Sequence, residues 1–149
     1  MEMKQVSKAA FCVIGKEGST AEEEGFVQRL WQEANTHFDE VRHLAKRDEA
    51  GEFVGFWGAM TDPSRSFLPW IDGFRNGLYL AGVECMEDAT APAGWTKWEI
   101  PGFVYLCCDS FAEGVAYLRE KGIALVGAAQ DFTDPKTGKN YVLFPIQRI

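Results

Sequence analysis

Two stretches of this chain, and only two, repeat apolar residues at helical spacing. Each is preceded by one strand-like run and followed by two more. In the first, Phe26, Val27, Leu30, Trp31, Ala34, Phe38 and Val41 alternate with Glu, Gln and Arg, which predicts an amphipathic helix over about residues 21–44. Ser19 and Thr20 stand three residues before Glu22 and Glu23, the spacing at which a hydroxyl and a carboxylate cap a helix start. The second helix opens at Asp109-Ser110 with Glu113, runs through Phe111, Val115 and Leu118, and stops at Gly122. Strand-like runs cover residues 11–15, 53–60 and 77–86 in the first half. In the second they cover 103–108, 123–129 and 141–146, with 95–100 extended ahead of them. Residues 131–140 read as a hairpin turn; Asp131 and Asp134, near Thr133 and Thr137, suggest a cation site, but lone turn aspartates are usually turn formers.

The element order is therefore β-α-β-β twice over, without residue-by-residue repetition. Each half would bury little alone, and no flexible linker divides them, so the 149 residues predict a single domain of two fused modules, about 8–90 and 95–149. The expected fold class is α+β: an antiparallel sheet carrying two helices, with a ligand groove between the modules.

Charge and cysteine usage narrow the function classes. Acidic residues outnumber basic ones 22 to 15 and no Lys/Arg cluster exists, which argues against direct nucleic-acid binding. Cys12, Cys85, Cys107 and Cys108 form no C-x-x-C and lie far from His37 and His43, so reduced thiols and no metal or cofactor are expected. Residues 1–10 are polar and no apolar run reaches membrane length, which predicts a soluble cytoplasmic protein without membrane partners. Ser64, Ser66 and Ser110 lack a nucleophile elbow, Ser110 reads as a helix cap, and no phosphate-binding loop is present.

The unusual feature is aromatic content: five Trp and 11 Phe, with four of the Trp between positions 57 and 98. Such rings serve either as core or as walls for flat ligands. On the predicted strands Trp57 shares a face with Gly55 and Ala59, and Glu84 with Gly82 and Leu80. Small neighbours leave room beside a functional group, or else mark close packing. A carboxylate buried among aromatics would attract a cation, since unpaired burial is costly and ring faces add cation–π attraction. Glu84, in Leu-Ala-Gly-Val-Glu-Cys, fits that role; Glu99 shares its face with Lys97 and reads as a solvent-facing residue.

The run 77–85 (Gly-Leu-Tyr-Leu-Ala-Gly-Val-Glu-Cys), Pro92-Ala93-Gly94, and Ile100-Pro101-Gly102-Phe103-Val104-Tyr105 resemble in order and spacing the gyrase-inhibitor-like (GyrI-like) effector-binding domain. The closing Tyr-Val-Leu-Phe-Pro-Ile of 141–146 resembles that family's last strand. The resemblance implies a groove between two fused modules, of the kind attached to AraC-type and MerR-type regulators, here as a standalone version. It implies binding of aromatic, often cationic, small molecules, with Phe56, Trp57, Trp70, Tyr79, Trp98 and Tyr105 as walls and Glu84 as the charge anchor. Two alternatives follow from it. One is a hydrolase of electrophilic, cyclopropane-containing genotoxins, in which Glu84 or Glu99 activates water and Tyr79 or Tyr105 donates a hydrogen bond. The other is a protein-interaction module of gyrase-inhibitor type.

Overall fold

The computed structural model describes residues 3–149, the side chain of Phe74 excepted. Eight strands form one antiparallel sheet: β1 (Lys4–Lys8), β2 (Phe11–Ser19), β3 (Phe56–Thr61), β4 (Leu78–Cys85), β5 (Thr96–Ile100), β6 (Phe103–Cys108), β7 (Gln130–Thr133) and β8 (Asn140–Arg148). The spatial order is β1-β6-β8-β7-β3-β4-β2-β5. Two helices of three turns, α1 (Phe26–Thr36) and α3 (Phe111–Lys121), join a one-turn segment, α2 (Ile71–Phe74), in which Asp72 and Gly73 have left-handed backbone.

The duplicated order is present as β2-α1-β3-β4 and β6-α3-β7-β8. The two units meet along the β3–β7 pair. The strands ahead of them cross over: β1 pairs with β6 at one edge, and β5 pairs with β2 at the other. The short links after β1 and β5 pass against each other, and a Cβ on Gly102 would stand only 3.2 Å from Ala10 N and 3.3 Å from Lys8 O.

The helices cover one face. Ile14 and Cys12 of β2 and Cys85 of β4 pack with Ala34 of α1, and Tyr79 and Ala81 with Phe26 and Leu30. Leu106, Cys108, Val142 and Phe144 pack with Leu118 of α3. On the opposite face Phe11, Val13, Trp57, Leu80, Trp98, Ile100, Phe103, Tyr105 and Leu143 form one cluster drawn from both halves. In a flat sheet β1 and β4, five places apart at about 4.8 Å per strand, would be more than about 20 Å from each other. Yet Lys8 of β1 touches Glu84 of β4, so the sheet is rolled and this face is its interior. Strands covered on both faces read as continuous apolar runs, and residues 11–15 are such a run. At the centre Gly15 pairs with Gly82, and a Cβ on either would strike the other strand's backbone. Gly82 thus serves close strand packing and not a groove beside Glu84.

Several expectations need correction. The first helix spans 26–36 and not 21–44: it begins after Gly25, whose φ is 81°, and passes beyond His37 into two 3₁₀ turns, Phe38–Glu40 and Arg42–Leu44. The Ser19–Glu22 box exists, with Ser19 N donating to Glu22 Oε2 at 2.6 Å, but it closes the turn after β2. Residues 123–129 are not a strand, and Asp131 lies inside β7, so the hairpin turn is confined to 134–139. β1, which the polar N-terminal residues concealed, is an edge strand. The second helix matches expectation: Ser110 Oγ accepts from Glu113 N (3.3 Å), and Gly122 at φ 66° ends it.

The four thiols are free; burial pushes Cys85 up to about 12 and Cys108 to about 11, which keeps them as unreactive thiols. Among the described residues no helix is long and apolar enough to cross a membrane. Nor does any group of three or more His, Cys, Asp or Glu come together there as metal ligands.

Candidate functional site

A cavity of about 390 Å³ opens over the junction of the modules, lined by Val27 of α1, Phe111 of α3, Met60, Trp70, Tyr79, Ala129 and Asp131. The two antiparallel units bring these together by register: Met60 pairs with Tyr79, and Gly58, two residues back on the same face, pairs with Asp131 of β7. Gly58 lacks a side chain for a reason, because a Cβ there would collide with the Tyr79 hydroxyl and stand 3.1 Å from Asp131 Cβ. Its absence lets the phenol lie across β3 toward the carboxylate. Trp70 is fixed in the same way, its ring over Gly77 and its Nε1 donating to Leu78 O at 3.2 Å.

Tyr79 is 3% exposed, and its oxygen accepts a hydrogen bond from Trp31 Nε1 at 3.0 Å. An indole N–H can only donate, so the phenol's own proton is directed to Asp131, with which it is hydrogen-bonded. Burial and the neighbouring Asp131 charge hold the Tyr79 hydroxyl far above its usual range, so it stays a donor. Burial likewise raises Asp131 to about 6, and the Tyr79 hydrogen bond opposes that rise only in part. The cleft therefore presents an aromatic and aliphatic surface with one carboxylate whose charge is poorly compensated.

The expected site residues divide between the two faces of the sheet. Trp70 and Tyr79 line the cleft. Phe56 lies on the helix side as well, packed against Phe38 and Phe53. Trp57, Glu84, Trp98 and Tyr105 lie in or beside the rolled interior. There Trp57 Nε1 donates to Glu84 Oε1 (3.1 Å), and Trp98 Nε1 to Glu17 Oε1 (2.7 Å). Glu84 is 2% exposed and ion-paired with Lys8 (3.2 Å), whose ammonium lies over the rings of Phe11 (4.5 Å) and Trp57 (5.7 Å). Glu99 is exposed on edge strand β5, in a depression shared with Phe11, Cys12 and Glu87. No single groove gathers all of these residues. Lys8 is not anticipated by the sequence, and Asp131, at which the sequence suggests a cation site, reads there as a turn former because its place inside β7 shows only in the pairing with β3.

Tyr105 is fully buried and its hydroxyl has no hydrogen-bond partner among the described residues. Burial and the Glu84 charge push its pKa well above the usual value. A buried donor without a partner costs about 1–3 kcal/mol. Tyr105→Phe is accordingly expected to leave stability unchanged or to raise it by about 1 kcal/mol in urea unfolding. A loss of more than that would mean the hydroxyl holds the core together.

No family model matches the sequence, and no curated protein matches it significantly. Solved structures do share its fold. SAV2435, solved with bound tetraphenylphosphonium, is 15% identical with a TM-score of 0.64, covering 99% of this chain and 94% of that one. A candidate bacterial transcription regulation protein from Staphylococcus aureus MU50 is 13% identical (TM-score 0.58, 99% of each chain). An integron cassette protein from the mobile metagenome of Vibrio cholerae is 12% identical (TM-score 0.52, 98% and 95%). At these identities the likeness is one of fold, and it runs the whole length of the chain.

Proposed function

We propose that this protein binds an amphipathic aromatic cation in the cleft between α1 and α3, with Asp131 as the charge anchor and Trp70, Tyr79, Met60, Val27 and Phe111 as walls. The observation that carries this is the Asp131 carboxylate, raised to about 6 by burial, facing a cavity of about 390 Å³. A cation entering there would supply the compensation that Tyr79 gives only in part, and the rings would add cation–π attraction. The volume is in the range of small-molecule sites. SAV2435, of like fold, holds tetraphenylphosphonium, an ion of this chemistry. Glu84, expected from sequence as the anchor, already has a cationic partner in Lys8.

The test is a calorimetric and fluorescence titration with tetraphenylphosphonium and with uncharged triphenylphosphine oxide. Saturable binding of the cation, quenching Trp70 and Trp31 emission and at least about tenfold tighter than the neutral compound, is expected from one charge-assisted contact. Equal affinity for the two would remove the anchor from the account.

A second reading is a hydrolase, favoured by one observation: a carboxyl raised to about 6 in hydrogen-bond contact with a tyrosine donor. Such a pair would take a proton from water and steady the leaving group at neutral pH. Mass spectrometry of each mixture after incubation with a cyclopropane-containing electrophile distinguishes the two. A water adduct formed by the wild type and absent with Asp131→Asn establishes turnover; intact compound leaves binding alone.

A further inference from the structure

We infer that β5 is a docking edge for a second copy of this chain, which pairs with it antiparallel about a two-fold axis at Trp98 and sets each Lys97 opposite the partner's Glu99. β5 ends the sheet, with β2 on one side and no strand on the other. Which of its backbone groups face outward follows from hydrogen bonds two strands away. Glu84 N donates to Gly55 O and Glu84 O accepts from Lys46 N, so Glu84 turns both groups away from β2. Bonding direction alternates along an antiparallel strand. Val83 and Cys85 therefore bond their β2 partners Ile14 and Cys12, and Val13, between those two, bonds the other way, to Trp98 of β5. The residues flanking Trp98 then present both N–H and C=O to the open edge. Among the described residues, the backbone groups of Lys97 and Glu99 find no hydrogen-bond partner on that side.

The side chains supply a second, independent observation. Lys97 and Glu99 share a face of β5, the first half-buried and the second exposed. In a two-fold pair centred on Trp98, residue 97 lies opposite residue 99, so the two residues with free backbone groups exchange both bonds with each other. The same register sets ammonium against carboxylate at both ends. Lys97 Nζ donates to Glu87 O at 2.6 Å, and an ammonium has further protons to give. Neighbouring registers fail. Centring on Lys97 or on Glu99 sets like charges opposite, and the latter also sets Lys97 against Pro101, which has no N–H. Trp95 N is spent on Pro92 O, which closes the edge at its other end. The far edge of the sheet is guarded instead: Lys4 and Lys8 share a face of β1, and a two-fold pairing about Val6 would bring them together.

The experiment is sedimentation velocity of the full chain. A single strand pair is at the small end of specific interfaces, so a monomer–dimer equilibrium with a dissociation constant of about 10–100 µM is expected. Raising salt from about 50 to about 500 mM should weaken it several-fold. Glu99→Lys and Lys97→Glu should each associate at least about tenfold more weakly, because like charges then face each other. Mixed in equal amounts, the two variants should form a heterodimer, and the Lys97→Glu/Glu99→Lys double variant should dimerise like the wild type. Neither side chain belongs to a core cluster, and unchanged thermal melts check that each variant is folded. Amide hydrogen exchange locates the contact. The Lys97 and Glu99 amides should exchange freely in dilute wild type and at least about tenfold more slowly in the dimer, with the Trp98 amide protected in both. A chain that stays monomeric to about 500 µM, a dimer that survives both single reversals, or variants that fail to associate when mixed would overturn the proposal. Neither Lys97 nor Glu99 lines the cleft, so this outcome is separate from that of the tetraphenylphosphonium titration.

Discussion

Asp131→Asn is expected to make the free protein more stable above pH 6 while removing most of its affinity for cations. The folded carboxyl titrates at about 6 against an ordinary value of 3.8. Between these values the folded chain holds a proton that the unfolded chain has released, so wild-type stability falls as pH rises from about 4 to 6. Above that the charged group carries its full burial penalty, about 2–3 kcal/mol for a shift of this size. Asparagine presents the same oxygen to the Tyr79 hydroxyl without the charge. Thermal melts should therefore show the variant gaining roughly 5 °C at pH 8 and nothing at pH 4. Tetraphenylphosphonium should bind the variant about 10- to 100-fold more weakly, with triphenylphosphine oxide little changed. The wild type should lose cation affinity as pH drops through about 6, and the variant should show no such dependence. Unchanged cation affinity in Asp131→Asn would leave the cleft without its anchor.

Asp62→Ala should produce the largest loss of stability among single polar substitutions, about 3 kcal/mol. Asp62, 5% exposed, follows β3 and organises the connection beyond it. Its Oδ1 accepts from Ser66 N (2.9 Å), Leu68 N (3.2 Å) and the Thr61 hydroxyl (3.1 Å), and its Oδ2 from Ser64 N (3.2 Å) and the Ser64 hydroxyl. These bonds hold Arg65 and Phe67 in left-handed backbone. Arg65 then pairs with Glu17, and Phe67 packs edge-on against Trp98 at 5.9 Å while its carbonyl accepts from Ala128 N. Burial alone would raise the Asp62 carboxyl, but the hydrogen bonds outweigh it and bring it to about 2. A depressed carboxyl contributes stability above its unfolded value that is lost as pH falls through about 2, so the loop should stay intact at pH 4. Urea unfolding at pH 7 and pH 2 checks both parts. A loss below about 1 kcal/mol at pH 7, or equal losses at both pH values, would contradict the assignment.

Much of the fold was legible because periodicity and caps are local signals. The Ser110 cap, the Gly122 stop and the alternating residues of β4 required no knowledge of their partners. The misread segments depend on distant ones. β1 is polar because it is an edge strand, and only its pairing with β6 makes it a strand. Asp131 looks like a turn former until β3 is laid beside it and Gly58 opens the way for Tyr79. Glu84, which the sequence leaves between solvent face and burial, is buried among aromatics, and its cation comes from 76 residues away in the same chain. Residue alternation could group Trp57 with Gly55 and Ala59, and Glu84 with Gly82 and Leu80, yet not tell that the β3–β4 register would put both on one face or that the roll of the sheet would enclose it.

The central claim, that an aromatic cation lies between the two helices against Asp131, is tested most directly by methyl NMR of the methionines during a titration with tetraphenylphosphonium. Met60 lines the cleft and Met86 is exposed elsewhere. The account predicts a saturating upfield ring-current shift of the Met60 methyl, with Met86 unmoved. Binding that leaves the Met60 methyl where it was would contradict it.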